Sequence, residues 1–239
     1  MKFETYFKRT TLLMIVVLLL YAGITSVWGV QGAPSISVGG SSRASFDNTS
    51  TATTGVQAGN VTELNISGWS ITSHWAGFFG EISGNMTLAD SGGNMFYDWT
   101  GLNDVAGEVF SSTDDAVSWG GIGCASSAEV DTLETFLNIT PSDPDRVNQT
   151  YTSTTHPSFT VGGAAISTCN STNAYVDTGK DGSTFYQILL TDTEGDAVYT
   201  TLINDTTTGF DAATHDFELL VGEPNTAGTT AMYFYIELS

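Results

Sequence analysis

The 239-residue sequence predicts a mainly-β protein: an antiparallel β-sandwich, immunoglobulin-like or jelly-roll-like, with one short helical insertion. Three observations carry that expectation. From residue 158 onward, short runs rich in Val, Ile, Thr, Tyr and Phe alternate with Gly, Asp, Asn and Pro at hairpin spacing. The stretch from Trp69 to Trp99 interleaves aromatic and β-branched residues with glycine and contains no proline. Only the segment after Ser126 has the spacing of an amphipathic helix.

The chain opens with Lys2, Lys8 and Arg9 ahead of an apolar run from Leu12 to Leu20, extended by Tyr21 to Ile24. That order has the form of a signal peptide over residues 1–32, with cleavage after Gly32; cuts after Gly29 or Ala33 fit the small-residue rule as well. An uncleaved N-terminal anchor is the alternative, because roughly 20 residues can span a bilayer. No Gly or Ala directly follows Lys8-Arg9, which disfavours a prepilin-type signal.

Residues 33–59 are rich in Ser, Thr, Gly and Ala, with only Ile36, Val38, Phe46 and Val56 as larger apolar side chains. Such a composition gains little from burial, so the segment is expected to be a flexible tail or a donated strand, with Ile36 and Val38 as its polymerisation positions. The domain then occupies 60–239. Asn60 to Ser67 alternates like an outer strand, and Ser73 to Asp90 reads as a long strand bulged at Gly77, Gly80 or Gly84. Asp90-Ser-Gly-Gly-Asn94 turns the chain back into Asn94 to Trp99, and this hairpin with Trp69, Trp75 and Trp99 is expected to anchor the core.

Gly107 to Ser112 is a further strand, followed by an acidic and glycine-rich loop to Gly123. Ser126-Ser-Ala-Glu129 has the capping-box form, and Val130, Leu133, Phe136 and Leu137 follow at helical spacing, with Asp131 and Glu134 on the other side; Pro141 ends the helix near 127–138. The remaining strands are expected at 158–161, 164–169, 174–177, 183–191, 196–203, 215–222 and 229–238. Turns at Asp177 to Gly182 and Asp192 to Gly195 separate them.

Without residues 1–32 the chain keeps Arg43, Arg146 and Lys180 against 25 acids, a net charge near −22. A surface of that sign repels phosphate backbones and anionic lipid, which excludes nucleic acid as a partner. Cys124 and Cys169 are an even pair in an exported chain, and one disulfide is expected between them, contributing on the order of 4 kcal/mol in the chain-entropy model. Eight N-x-S/T sequons begin at Asn48, Asn60, Asn65, Asn85, Asn138, Asn148, Asn170 and Asn204. They predict a heavily N-glycosylated surface.

Chemistry is harder to find. His74, His156 and His215 are scattered without metal-ligand spacing, and neither cysteine belongs to a C-x-x-C pair. The Asp177 to Ser183 loop lacks the glutamate that an EF-hand needs at its twelfth position, where Ile188 stands. Asp192, Glu194 and Asp196 at a hairpin tip, or Asp114 with Asp115, are acids that could hold a surface Ca²⁺ weakly. Glu81, Asp90, Asp98 and Glu108 are the carboxyls that a glycosidase reading would need, but Glu81 alternates with neighbours expected to be buried on a strand and Asp90 begins a turn. No nucleophile elbow, zinc-protease helix or phosphate loop is present, and the chain is expected to be no enzyme and to need no cofactor.

Trp75, Gly77, Gly80, Gly84, Asn85, Thr87 and Leu88, followed by Tyr97, Asp98 and Trp99, form a W-x-G-x-x-G-x-x-x-G-N-x-T-L run and an aromatic-Asp-Trp strand. The run resembles a pattern in secreted β-rich surface proteins of archaea and covers about an eighth of the chain. What the resemblance implies is lineage and exposure, and such a source would accommodate the acidity, the signal peptide and the sequons together. The expectation is therefore an extracellular, N-glycosylated structural protein of the cell surface. Its partners would be copies of itself, in a pilus-like filament, by strand exchange, or in a surface lattice. A glycan- or cation-binding surface module is the alternative.

Overall fold

The computed structural model describes residues 30–33, 35–44, 53–99, 106–177, 179–180, 182–226 and 228–238, and among them the fold is mainly β and antiparallel. Residues 1–29 of the span expected to be a signal peptide, together with Phe46 and Asn48, lie outside the described residues. The centre is built by β5 (Gly107–Ser112), β12 (Tyr186–Thr191) and β13 (Ala197–Leu202), with Thr200 opposite Phe110 and Leu190 opposite Val198. Side chains alternate across a strand, so Val109, Leu189 and Tyr199 join one core while Phe110, Ile188, Leu190 and Val198 join a second on the opposite face. A sheet buried on both faces needs consecutive apolar residues, and Ile188-Leu189-Leu190 supplies them.

On one side β5 pairs with β17 (Tyr233–Leu238), whose outer edge takes β1 (Gln31–Gly32). On the other side, β6 (Gly123–Cys124) and β9 (Ser171–Asn173) share the edge of β12 end to end, with Cys124 opposite Leu190 and Ser171 opposite Ile188. Cys124 and Cys169 are disulfide-bonded with their Cα atoms 4.9 Å apart, so the expected pair closes and ties the two segments lining that edge.

The first face is covered by β2 (Trp75–Gly80) paired with β16 (Phe217–Gly222), and by α1 (Ser127–Phe136) and α2 (Val147–Thr150). Gln187 fastens this layer. Its side chain is 1% exposed, donates to the carbonyls of Phe185 (2.8 Å) and Glu218 (2.6 Å), and accepts the Leu220 N–H at 2.7 Å. The free edge of β16 is thus satisfied by an amide side chain where a neighbouring strand would otherwise be needed. The second face lies under Val117, Trp119 and Ile122 and the hairpin of β7 (Phe159–Val161) and β8 (Ala164–Ile166). Three small hairpins complete the chain: β3 (Met86–Ala89) with β4 (Met95–Trp99), β10 (Tyr175–Val176) with β11 (Gly179–Lys180), and β14 (Thr207–Thr208) with β15 (Thr214–His215).

Some expectations change. The Asp90 to Asn94 turn forms, its Asp90 carboxylate accepting the N–H groups of Gly92 and Asn94, but the long strand breaks after Gly80. Its first half pairs with β16 and its second half makes the exposed β3–β4 hairpin, because Glu81 to Asn85 find no partner strand. Trp75 does pack on Tyr151 and Tyr199, whereas Trp69 is 85% exposed and Trp99 is also exposed; the core centres on β5, β12 and β13. Asn60 to Ser67 forms no strand either, with Val61, Leu64 and Ile66 all exposed. Three apolar side chains without a sheet edge to join cannot offset the entropy of ordering.

The capping box at Ser126 and Glu129 is present on both sides, and Asn138 ends α1 in the left-handed region at φ 58°. Phe136, expected on the buried stripe, is exposed, and Glu134, expected outside, is buried. At roughly 100° per residue, Glu134 falls only about 40° from Val130, at the margin of the stripe that includes Leu133 and Leu137, while Phe136 lies about 120° from Val130. Arg146 makes burial of Glu134 tolerable, donating to its carboxylate at 2.7 and 3.1 Å.

Replacing Gln187→Leu leaves the Glu218 carbonyl and the Leu220 N–H without this partner, and a loss of about 2–5 kcal/mol is expected in urea unfolding. Trp69→Ala is expected to change stability by less than about 0.5 kcal/mol in the same measurement.

Candidate functional site

The edge of β17 is where Val30 to Ala33 meets the last described strand. Gln31 lies opposite Ile236 and Gly32 opposite Tyr235, and the Ala33 N–H donates to the Phe234 carbonyl at 3.0 Å. Val30 packs against the core cluster that contains Phe110, Ile188 and Tyr235. Ile36 and Val38, the expected polymerisation positions, lie beyond the paired residues and are 60% and 81% exposed. The pairing segment falls instead within and just after the span assigned to the signal peptide, and a cut after Gly29 would retain all of it.

A carboxyl pair sits beside this edge. Glu108 on β5 faces Glu237 on β17 in register, on the same sheet face as Phe110 and Tyr235. Glu108 is 7% exposed; burial pushes its carboxyl up to about 7, with the neighbouring Glu237 adding to the rise. Burial also raises Glu237, offset in part by the Gly162 N–H, and its Oε2 is buried without a hydrogen-bond partner. Gly162, in the β7–β8 turn, has φ 55° and sits so close to the Trp119 carbonyl that a Cβ would collide with it. Continuing the β1 register places Val30 next to Glu237.

A second cluster joins the loop after β5 to the β12–β13 turn. Carboxylate oxygens of Asp114, Asp192 and Asp196 lie within 4.8 Å of one another. Burial works to raise Asp192, but N–H groups of Ser118, Glu194, Asp196 and Gly195 hold it below its ordinary value. Burial first, then Asp192 and Asp114, raises Asp196. Of the acids with calcium-binding chemistry in the sequence, the structure gathers these three and leaves Glu194 and Asp115 out of the cluster. Three carboxylates at this spacing are a partial oxygen shell for a hard cation.

The histidines are apart from both clusters. His74 Nδ1 is 3.3 Å from Asp145 Oδ2, His156 Nε2 accepts the Cys169 N–H at 2.9 Å, and His215 Nε2 lies 2.9 Å from Asp211 Oδ1 beside the rings of Phe79 and Phe210. Glu81, Asp90, Asp98 and Glu108 lie on separate elements: after β2, at a hairpin tip, on β4 and on β5. Two surface depressions, one beside α1 at Leu133 and Asp196 and one between α1 and α2 at Val130 and Tyr151, contain none of these four carboxyls.

The sequons distribute over the surface. Asn60, Asn65, Asn85, Asn138 and Asn148 are exposed, Asn170 and Asn204 are half-buried, and Asn48 lies outside the described residues. Two features escaped the sequence. Val30 to Ala33 has no strand signal of its own and becomes one only because β17 offers an edge, and the Glu108–Glu237 pairing follows from a register that neither strand specifies alone.

The fold and these sites define a mainly-β, antiparallel, disulfide-bonded protein with no long apolar helix able to cross a membrane among the described residues. No protein-family model, curated protein or solved structure matches the chain.

Because the folded pKa of Glu108 stands above the ordinary value of 4.5, its contribution to stability is full below about 4.5 and is lost as pH rises through about 7. Glu108→Gln is expected to remove that slope. The variant should be more stable than the wild type at pH 8 by on the order of 1–2 kcal/mol after solvent screening, with the difference closing or reversing at pH 4.5. Urea midpoints of both proteins across this range check the sign.

Proposed function

We propose that the chain is a secreted, N-glycosylated structural protein of the cell surface, a subunit of an extracellular filament or lattice that assembles with copies of itself. The observation that carries the proposal is the N-terminal arm. Residues 35–44 and 53–70 are exposed throughout and form no strand or helix, yet the arm begins in β1 on the sheet edge and ends at Thr72 and His74, which both bond Asp145. A domain that needed only its own core gains nothing from so long an exposed arm. The placement of the sequons supports the same reading, since none of the seven described asparagines is buried. The acidic composition supports an exterior setting, where counter-ions screen the repulsion.

The proposal assigns the chain no catalysis. Native surface material purified from the source is expected to contain this protein in polymers visible by negative-stain microscopy, with an intact mass above that of the bare polypeptide that falls on deglycosylation. Monomeric material at the bare mass would overturn it.

A second reading, a cation-binding surface module, is favoured by the Asp114, Asp192 and Asp196 cluster alone. On that reading calcium raises the thermal midpoint of the wild type, and Asp196→Asn removes most of the shift. An equal calcium response in both proteins would dismiss it.

A further inference from the structure

We propose that the outer edge of β17 is an exchange site whose occupant in assembled material is the Val30 to Ala33 segment of a second copy of this chain. The inference rests on the assembly reading above and names the surface and the residues through which it would work.

The structure displays the acceptor with a donor of the right sequence already seated. Among the described residues, the outer edge of β17 is met by Gln31, Gly32 and Ala33 in antiparallel register, while Val30 inserts toward the core that contains Phe110 and Tyr235. Backbone bonds give such an added strand its affinity, and a side chain entering a pocket fixes its register. Val30 is that side chain.

Nothing in the connection requires donor and acceptor to belong to one molecule. Between Ala33 and Trp75 runs a tether of roughly 40 residues, which extended can reach ~130 Å, whereas a domain of this size is only ~40 Å across. Its described parts, 35–44 and 53–70, are exposed. A tether of that length holds its own end at an effective concentration of roughly millimolar or below, a level that neighbouring copies in a packed surface array match or exceed. The same strand pairing then forms between molecules as readily as within one. Because donor and acceptor are different segments of the chain, each copy gives one strand and receives one, and the contact is heterologous and can be passed from copy to copy. An unfilled β17 edge would also be a ready template for indiscriminate pairing, so an occupant, from whichever copy, is required.

Cysteine pairing tests the origin of the occupant. The Ala33 to Phe234 hydrogen bond makes Gln31 and Ile236 a hydrogen-bonded pair two positions along, with Cα atoms expected ~5.5 Å apart, inside the disulfide range. The exchange requires the cut after Gly29, so the chain beginning at Val30 and carrying Gln31→Cys is mixed at high concentration with one carrying Ile236→Cys, oxidised gently and digested. The double variant is expressed in the source and its surface material is run without reductant. Exchange predicts a covalent dimer in the mixture, containing the disulfide-linked peptide that joins the two substituted positions, and a ladder of multiples of the subunit mass for the double variant. A double variant closed only within single chains, with no linked peptide in the mixture, overturns the exchange, as does failure of either linkage to form. If polymers persist in the microscope while the double variant closes only within chains, the assembly reading stands and strand exchange falls. If linked dimers form but no polymers are found, the exchange edge stands and the filament falls.

Discussion

A sheet buried on both faces imposes a demand that runs through the whole molecule: each covering layer must be fixed to it without leaving backbone groups unsatisfied. On the first face that demand is met by one side chain. Gln187 stands on β12 among Leu189 and Tyr199, where an apolar residue would pack, and directs its amide to the Glu218 carbonyl and the Leu220 N–H of β16. An amide can do this because it presents a donor and an acceptor side by side, like one rung of a strand. With β16 placed, β2 follows by pairing with its other edge, and the Asp216 carboxylate fixes the chain beyond β2 by accepting the Ile82 and Thr206 N–H groups.

The two remaining edges of the central sheet are handled differently. The edge of β12 is shared by β6 and β9, and the Cys124–Cys169 bond joins the segments that flank Leu189, whose N–H and carbonyl bond Asn170 and Ala125. Covalent closure makes this a permanent edge. The edge of β17 has no such lock. Its cover is a few residues about 200 positions earlier in the sequence, held by a short ladder and by Val30, beside two carboxyls that raise the cost of burial. On the assembly proposed above, that difference between a covalently closed edge and one covered by a tethered strand is what selects the surface for exchange.

Excess negative charge is dispersed where water can solvate it, and the exceptions are structured. Glu134 is buried against Arg146, and Asp192 is held by backbone N–H groups in the β12–β13 turn. Glu108 is buried beside a second carboxyl, Glu237, and its raised pKa is the sign of that desolvation.

The sequence by itself determined the elements whose information is local. The capping box at Ser126 and Glu129, the Asp90 to Asn94 turn, the turn after Asp192, the strand at Gly107 to Ser112 and the cysteine pair were all legible, because capping, turn geometry and a single even pair depend on near neighbours or simple counting. The sequence also placed Asp114, Asp192 and Asp196 among the acids with calcium-binding chemistry, though not their convergence. Tertiary structure decided what depends on a partner far along the chain. Trp69 and the Asn60 to Ser67 alternation look like core and strand, yet stay exposed because no edge accepts them, while Val30 to Ala33 looks like nothing and becomes a strand because β17 does. Hydrophobic pattern reports which residues gain from burial; which of them obtain it is set by the limited number of sheet edges and faces, and that allocation exists only in the folded chain.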